Sequence, residues 1–141
     1  MIRFQLITLA GTKINEDVFQ VTLPTKTGRI GVLERHMPLV GVITPGIIEI
    51  QKNEHDAGNK TMQFVTYGGV IEIANNVLRV IVDEADQADE INESEAQRAY
   101  ERAQKMKLEA RDEISLENAQ ALIDRSRIRL QVVKLRRRSS R

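Results

Sequence analysis

The 141-residue sequence contains no cysteine and no tryptophan, and only two histidines and three prolines. Without cysteine, disulfides and thiolate metal sites are excluded, and a reducing compartment is permitted. Aromatic residues make up 4% of the chain while hydrophobic residues reach 41%. A core built from Val, Ile and Leu suits a β-sheet better than an aromatic-lined ligand pocket. No apolar run approaches the ~20 residues of a membrane span. Met1 leads straight into an alternating strand pattern rather than a signal peptide, so the expectation is a soluble chain that can still sit on a membrane complex.

Catalytic apparatus is also scarce. A nucleophile–base pair needs Ser, Thr or Cys beside an oriented imidazole. His55 lies in the polar turn Asn53-Glu54-His55-Asp56 and reads as a solvated loop residue. His36 precedes Met37-Pro38 in a tight connection and reads as a structural or interface residue. No catalytic residue is assigned. The acidic run Asp83, Glu84, Asp86, Asp89 and Glu90 lacks the glycine and regular alternation of an EF-hand loop. It reads as a solvated linker supporting a helix N-terminus, not as a metal site. Gly68-Gly69 has no Lys-Ser/Thr sequel and precedes a strand, so it is a bulge or a close backbone approach rather than a phosphate loop. No cofactor is expected.

What the chain does have, up to about Ala85, is period-two alternation. Ile2, Phe4 and Leu6 alternate with Arg3 and Gln5; Phe19, Val21 and Leu23 alternate with Gln20 and Thr22. Residues 30–33, 39–43, 47–51, 62–67, 69–73 and 77–82 are further strand candidates, separated by Gly11-Thr12, Thr27-Gly28, Pro38, Pro45-Gly46, 53–59 and Asn75-Asn76. Eight short candidates with brief connections predict an antiparallel β-sandwich or flattened barrel over 1–86. Asn75-Asn76 suits a tight hairpin, because Asn tolerates the positive φ of a type I′ turn.

Beyond Asp83-Glu84 the period becomes helical. Asn92 with Glu95 three residues on reads as a capping box. Ala96, Ala99, Ala103, Met106 and Ala110 then recur at 3-4 spacing. Asp112-Glu113-Ile114-Ser115 breaks the run, with Ser115 placed to cap a second helix carrying Leu116, Ala119, Ile123, Ser126, Leu130 and Val133 in the same rhythm. The expectation over 87–141 is an antiparallel two-helix hairpin. Its seam is thin: a buried Leu contributes about 1.5–3 kcal/mol, a methyl-sized Ala only about 0.8 kcal/mol. Such a hairpin is marginal alone and able to open when another surface competes.

Charge is segregated under a net +1. Residues 1–86 carry 8 Lys/Arg against 10 Asp/Glu, residues 87–124 carry 5 against 10, and residues 125–141 carry 8 against none. Arg125, Arg129 and Arg136 form one helical row and Arg127, Lys134 and Arg138 another, flanking the apolar seam. These rows fit phosphates, anionic lipid or an acidic protein surface. An acidic protein is favoured, since no aromatic lies in the tail to stack bases or anchor in a membrane. The alternative is a β-domain adaptor whose basic helix binds nucleic acid.

The runs Gly28–Leu39, Pro45-Gly46, Tyr67–Ile73 and Val82-Asp83-Glu84-Ala85, followed by an alanine-rich hairpin, resemble the epsilon subunit of F-type ATP synthases over essentially the whole chain. The resemblance implies a non-catalytic rotor subunit. Its sandwich binds the gamma subunit and rests on the c-ring. Its basic second helix engages an acidic region of a beta subunit and restrains ATP hydrolysis. It implies a peripheral place on the cytoplasmic face of the cell membrane, and the lack of a transit segment points to bacteria. Arg29, Gly31, His36 and Pro38 fall in the best-matching motif, while Arg125, Arg127, Arg129, Lys134, Arg136, Arg137 and Arg138 are the candidates for the inhibitory contact.

Two features depart from the family pattern. Where members that bind ATP on the hairpin carry Ile/Leu-Asp-x-x-Arg-Ala, this sequence has Ile91, Asn92, Glu95 and Ala96. A carboxylate where phosphates expect a cation predicts weak or absent ATP binding. Arg29 stands where the family often has an acidic residue near the c-ring, so the ring partner here is expected to offer a carboxylate.

Overall fold

The computed structural model describes residues 1–56 and 60–139, with side chains described as far as Leu135. The chain divides into two compact units, 1–87 and 88–141.

The first unit is a sandwich of two five-stranded sheets. Its strands are β1 Ile2–Thr8, β2 Gly11–Val18, β3 Gln20–Thr25, β4 Gly28–Val32, β5 Leu39–Ile43, β6 Gly46–Gln51, β7 Met62–Thr66, β8 Gly69–Ala74, β9 Val77–Val82 and β10 Ala85–Gln87. One sheet runs β2-β1-β9-β8-β5 and the other β10-β7-β6-β3-β4. β1 joins β9 in parallel, Phe4 opposite Leu78, and the other pairings among the described residues are antiparallel. Alternation sorts the side chains as the pleat requires. Ile2, Phe4, Leu6, Ile71, Ile73, Leu78 and Val80 face Val21, Leu23, Val32, Ile48 and Ile50 in a core without charged groups.

Ten strands form where eight were expected. β2 was missed because Lys13, Asn15 and Asp17 point to solvent and only Ile14 and Val18 are buried. β10 is no linker: its three residues pair with β7, Ala85 opposite Thr66. The Asn75-Asn76 turn behaves as expected, with φ of 53° and 60°. Gly69 is a close approach, since a side chain there would drive into the Ile81 carbonyl oxygen on β9. Of the predicted turn at 53–59, residues 57–59 lie outside the described ones.

The second unit begins with a single 3-10 turn, Ala88–Glu90, followed by α1 (Glu93–Glu109) and α2 (Glu113–Ser139). Asn92 caps α1 by accepting the Glu95 N–H at 3.1 Å. The cap of α2 is Asp112, not Ser115: Asp112 Oδ1 accepts the Ser115 N–H at 2.7 Å, so the helix starts three residues earlier than expected. Ala96 and Ala103 meet a face that buries Ala119, Ile123, Ser126 and Val133. Met106 and Leu116, both assigned to the seam, are exposed near the turn. Lys107 Nζ donates to Gln120 Oε1 at 2.8 Å and ties the helices across the hairpin.

Candidate functional site

The best-matching motif occupies β4 and the connection from β4 to β5, which crosses from one sheet to the other. Arg29 and Gly31 are exposed on β4, an edge strand. The Arg29 guanidinium lies 4.0 Å from Glu49 Oε2 on β6, so it has a carboxylate within its own chain as well as any that a partner offers. His36 and Pro38 sit in the connection, beyond the far end of β4, roughly 10 Å of extended strand from Arg29. The motif therefore spans two ends of the sandwich rather than one spot.

The connection is held by its neighbours. Arg35 adopts φ 61°, and its N–H donates to Asn76 Oδ1 at 2.8 Å. Asn76 Nδ2 in turn donates to the Met1 carbonyl at 3.0 Å. The His36 N–H donates to the Leu33 carbonyl at 3.1 Å, and its ring Nδ1 lies 2.8 Å from the Met37 carbonyl oxygen. His36 is thus fixed by local backbone contacts, with no acid or nucleophile positioned beside it among the described residues.

A surface not foreseen from the sequence lies on the outer face of the first sheet. Register aligns Val42 with Val70, Val70 with Ile81 and Ile81 with Ile7 across β5, β8, β9 and β1. Val42, Val70 and Ile81 are 60%, 45% and 43% exposed, and Val40 beside them is 79% exposed. The next row is polar and internally paired, with Arg79 Nη1 3.8 Å from Glu72 and Arg79 Nε donating to Gln5 Oε1 at 3.2 Å. The signal was present: Leu39-Val40-Gly41-Val42-Ile43 is apolar on both faces of an edge strand. Such an edge without charge invites pairing.

On the hairpin, Arg125, Arg127 and Lys134 are exposed. Arg129 differs. It is half-buried and lines a groove of about 660 Å³ with Glu95, Arg98, Ala99, Glu101, Arg102 and Lys105 of α1. Its Nε is buried without a hydrogen-bond partner among the described residues. The side chains of Arg136, Arg137 and Arg138 lie outside the described ones, although the backbone of α2 is helical through them. Asn92 is occupied as a helix cap, Glu95 lines the Arg129 groove, and Ile91 and Ala96 are buried.

Among the described residues no three His, Cys, Asp or Glu converge as a metal site, and no helix is long and apolar enough to cross a membrane. A rigid sandwich with an uncovered apolar face, followed by a thinly sealed basic hairpin, defines an assembly module that works through contacts. Known proteins agree. Residues 1–88 match the family described as ATP synthase, Delta/Epsilon chain, beta-sandwich domain, and residues 89–134 match its long alpha-helix domain. The ATP synthase epsilon chain of Herpetosiphon aurantiacus is 33% identical over 136 residues, 96% of each chain. That of Chloroflexus aggregans is 33% identical over 142 residues, 99% of each. A chain in the solved Euglena gracilis mitochondrial ATP synthase (OSCP/F1/c-ring, rotational state 1) superposes with a TM-score of 0.73 at 25% identity, covering 90% of this chain and 78% of that one. The chain belongs to the ATP synthase delta/epsilon family, and within it to the epsilon subunits: rotor components, structural and regulatory rather than catalytic.

Proposed function

We propose that the sandwich docks on the gamma subunit and the c-ring in the central stalk of an F-type ATP synthase, while the hairpin acts as an arm that restrains ATP hydrolysis. The observation that carries the docking is the apolar row Val42–Val70–Ile81 with Val40 beside it. Contiguous apolar surface of this kind is the usual mark of a protein–protein contact. Covering a Val or Ile side chain fully contributes about 1.5–3 kcal/mol, so a few such residues offset part of the cost of association. Arg29, Gly31, His36 and Pro38, spread over the two ends of the sandwich, are assigned to the gamma-facing and ring-facing contacts. The Euglena neighbour, found in an assembly that includes F1 and the c-ring, supports this placement.

The arm reading rests on the alanine seam and on the exposed cations Arg125, Arg127 and Lys134, with Arg136, Arg137 and Arg138 further along α2. Their partner is an acidic region of a beta subunit. Arg129 joins that contact only on leaving its groove against α1. Nucleic acid is not assigned as a partner. The complex places the chain peripherally on the cytoplasmic face of a bacterial membrane, in keeping with its bacterial relatives.

The test is reconstitution of F1 depleted of this subunit with wild type and with Arg127→Glu/Lys134→Glu, two exposed positions that leave the seam intact. The variant is expected to assemble normally and to raise ATPase activity severalfold. Unchanged activity in a fully assembled complex sinks the restraining role.

A further inference from the structure

The hydrogen bond from Lys107 Nζ to Gln120 Oε1, at 2.8 Å, sets the register of the antiparallel helices α1 and α2. Both rise about 1.5 Å per residue, so each step back along α1 is matched by one step forward along α2. Counting from that bond, Arg98 is level with Arg129 and Glu93 with Lys134. The groove that Arg129 shares with Glu95, Arg98 and Arg102 agrees with this register. The turn Ala88–Glu90 lies beyond Glu93 and packs against α2, towards the last turns of that helix.

This register divides the hairpin electrically. In its middle, Arg98, Arg102 and Lys105 line the same groove as Arg129, and Glu95 and Glu101 offset only part of that charge. Like charges at one level push the helices apart. At the open end the signs are opposite. Residues 88–97 carry Asp89, Glu90, Glu93 and Glu95 with no Lys or Arg, whereas residues 125–141 carry eight cations and no acid. Helix capping does not account for the acidic turn, because Asn92 already caps α1, while Asp89 and Glu90 stand exposed in the 3-10 turn before it. Acids at the positive start of α1 and cations at the negative end of α2 also suit the two helix dipoles, so side chains and dipoles attract across the same gap.

We infer that Asp89 and Glu90, with Glu93, form an internal catch: they hold the basic half of α2 within the chain, occupying the charges that the arm otherwise presents to an acidic protein surface. The inference rests on the arm reading above and names what restrains the arm itself. A partner joined through the same chain is present at an effective concentration on the order of millimolar, so an external acidic surface has to displace it. The like charges in the middle of the hairpin favour separation once the catch lets go.

The experiment is a distance measurement on the full chain at low salt, by pulsed electron paramagnetic resonance. Because the chain lacks cysteine, Gln97→Cys/Gln131→Cys places spin labels at these two exposed positions alone, one on each helix. In this background Asp89→Asn/Glu90→Gln is expected to raise the long-distance fraction at least about threefold, the scale of two exposed ion pairs. Both positions are exposed and precede α1, so its cap and the seam stay intact. Adding Lys105→Gln eases the repulsion in the groove and should return the fraction towards its starting value. Glu109→Gln/Glu117→Gln, the same change of charge at the other end of the hairpin, should leave it within about 1.5-fold. Unchanged distances in the Asp89→Asn/Glu90→Gln chain, or an equal rise in the Glu109→Gln/Glu117→Gln chain, overturn the catch. Added to F1 depleted of this subunit, Asp89→Asn/Glu90→Gln should restrain ATP hydrolysis at a severalfold lower concentration than wild type. Longer distances without stronger restraint leave the catch standing and overturn the restraining role of the arm.

Discussion

Tyr67 donates its hydroxyl hydrogen to Asp86 Oδ2 over 3.0 Å, linking the Tyr-Gly-Gly corner to β10, the last strand of the first unit. β10 has three residues and pairs on one side, with β7. A strand so short depends on each bond it makes. Tyr67→Phe removes the hydroxyl and keeps the ring, and should lower stability by about 1 kcal/mol. Urea denaturation monitored by circular dichroism checks this through a lower midpoint at an unchanged slope. An unchanged midpoint means the bond is too solvated to matter.

Asn76 combines a backbone and a side-chain role: φ is 60°, and its amide bridges the Arg35 N–H and the Met1 carbonyl. Asn76→Ala loses both and should cost about 1–2 kcal/mol. Asn76→Gly restores the backbone freedom while losing the bridge. If Gly recovers all of the stability in the same denaturation assay, the bridge to Arg35 contributes nothing.

The Asp112 carboxyl is held below its ordinary value of 3.8, first by the Ser115 backbone N–H and then by the Ser115 hydroxyl. A folded-state pKa lower than the unfolded one gives stability that is present above the unfolded value and lost as pH falls through the folded value. Helicity of the second unit should therefore decline below about pH 4 as this cap is protonated. Comparing the ellipticity of wild type and Asp112→Ala across pH 2–5 isolates the effect. Parallel profiles would exclude the cap as its source.

ATP binding should be weak. The groove along the hairpin gathers Arg98, Arg102, Lys105 and Arg129, but Glu95 and Glu101 share it. A unit charge at ~4 Å shifts binding by roughly 1–4 kcal/mol between water-like and surface-like conditions. Wild type should show no micromolar affinity by calorimetry. Asn92→Asp/Glu95→Arg preserves a good cap and reverses the unfavourable charge, and should gain at least about tenfold. Tight binding by the wild type contradicts the reading of Glu95.

The sequence was legible where one physical rule acted alone. Period-two alternation located β1, β3 to β9 and the core, and Asn75-Asn76 announced its turn because few residues accept φ near +60°. β2 was hidden because an edge strand carries charges for protection, which masks the alternation of Ile14 and Val18. The α2 cap was misplaced because Asp112 and Ser115 are both capping residues, and only geometry shows which side chain accepts the other's N–H. Helical spacing put Arg129 on a basic ridge, but spacing cannot reveal that Arg129 itself packs into a groove with α1. The exposed apolar row escaped notice because its members come from four strands far apart in sequence, aligned only by register.

The parallel pairing of β1 with β9 brings residue 3 beside residue 77. During translation, the opening strand must wait until more than half of the polypeptide has left the ribosome before its second neighbour exists. Contacts of such long sequence separation slow closure of a sheet. Nascent chains of this subunit should therefore remain protease-sensitive until late in synthesis, so that chaperone engagement at the ribosomal exit falls in the same interval in which the helical segment is being made.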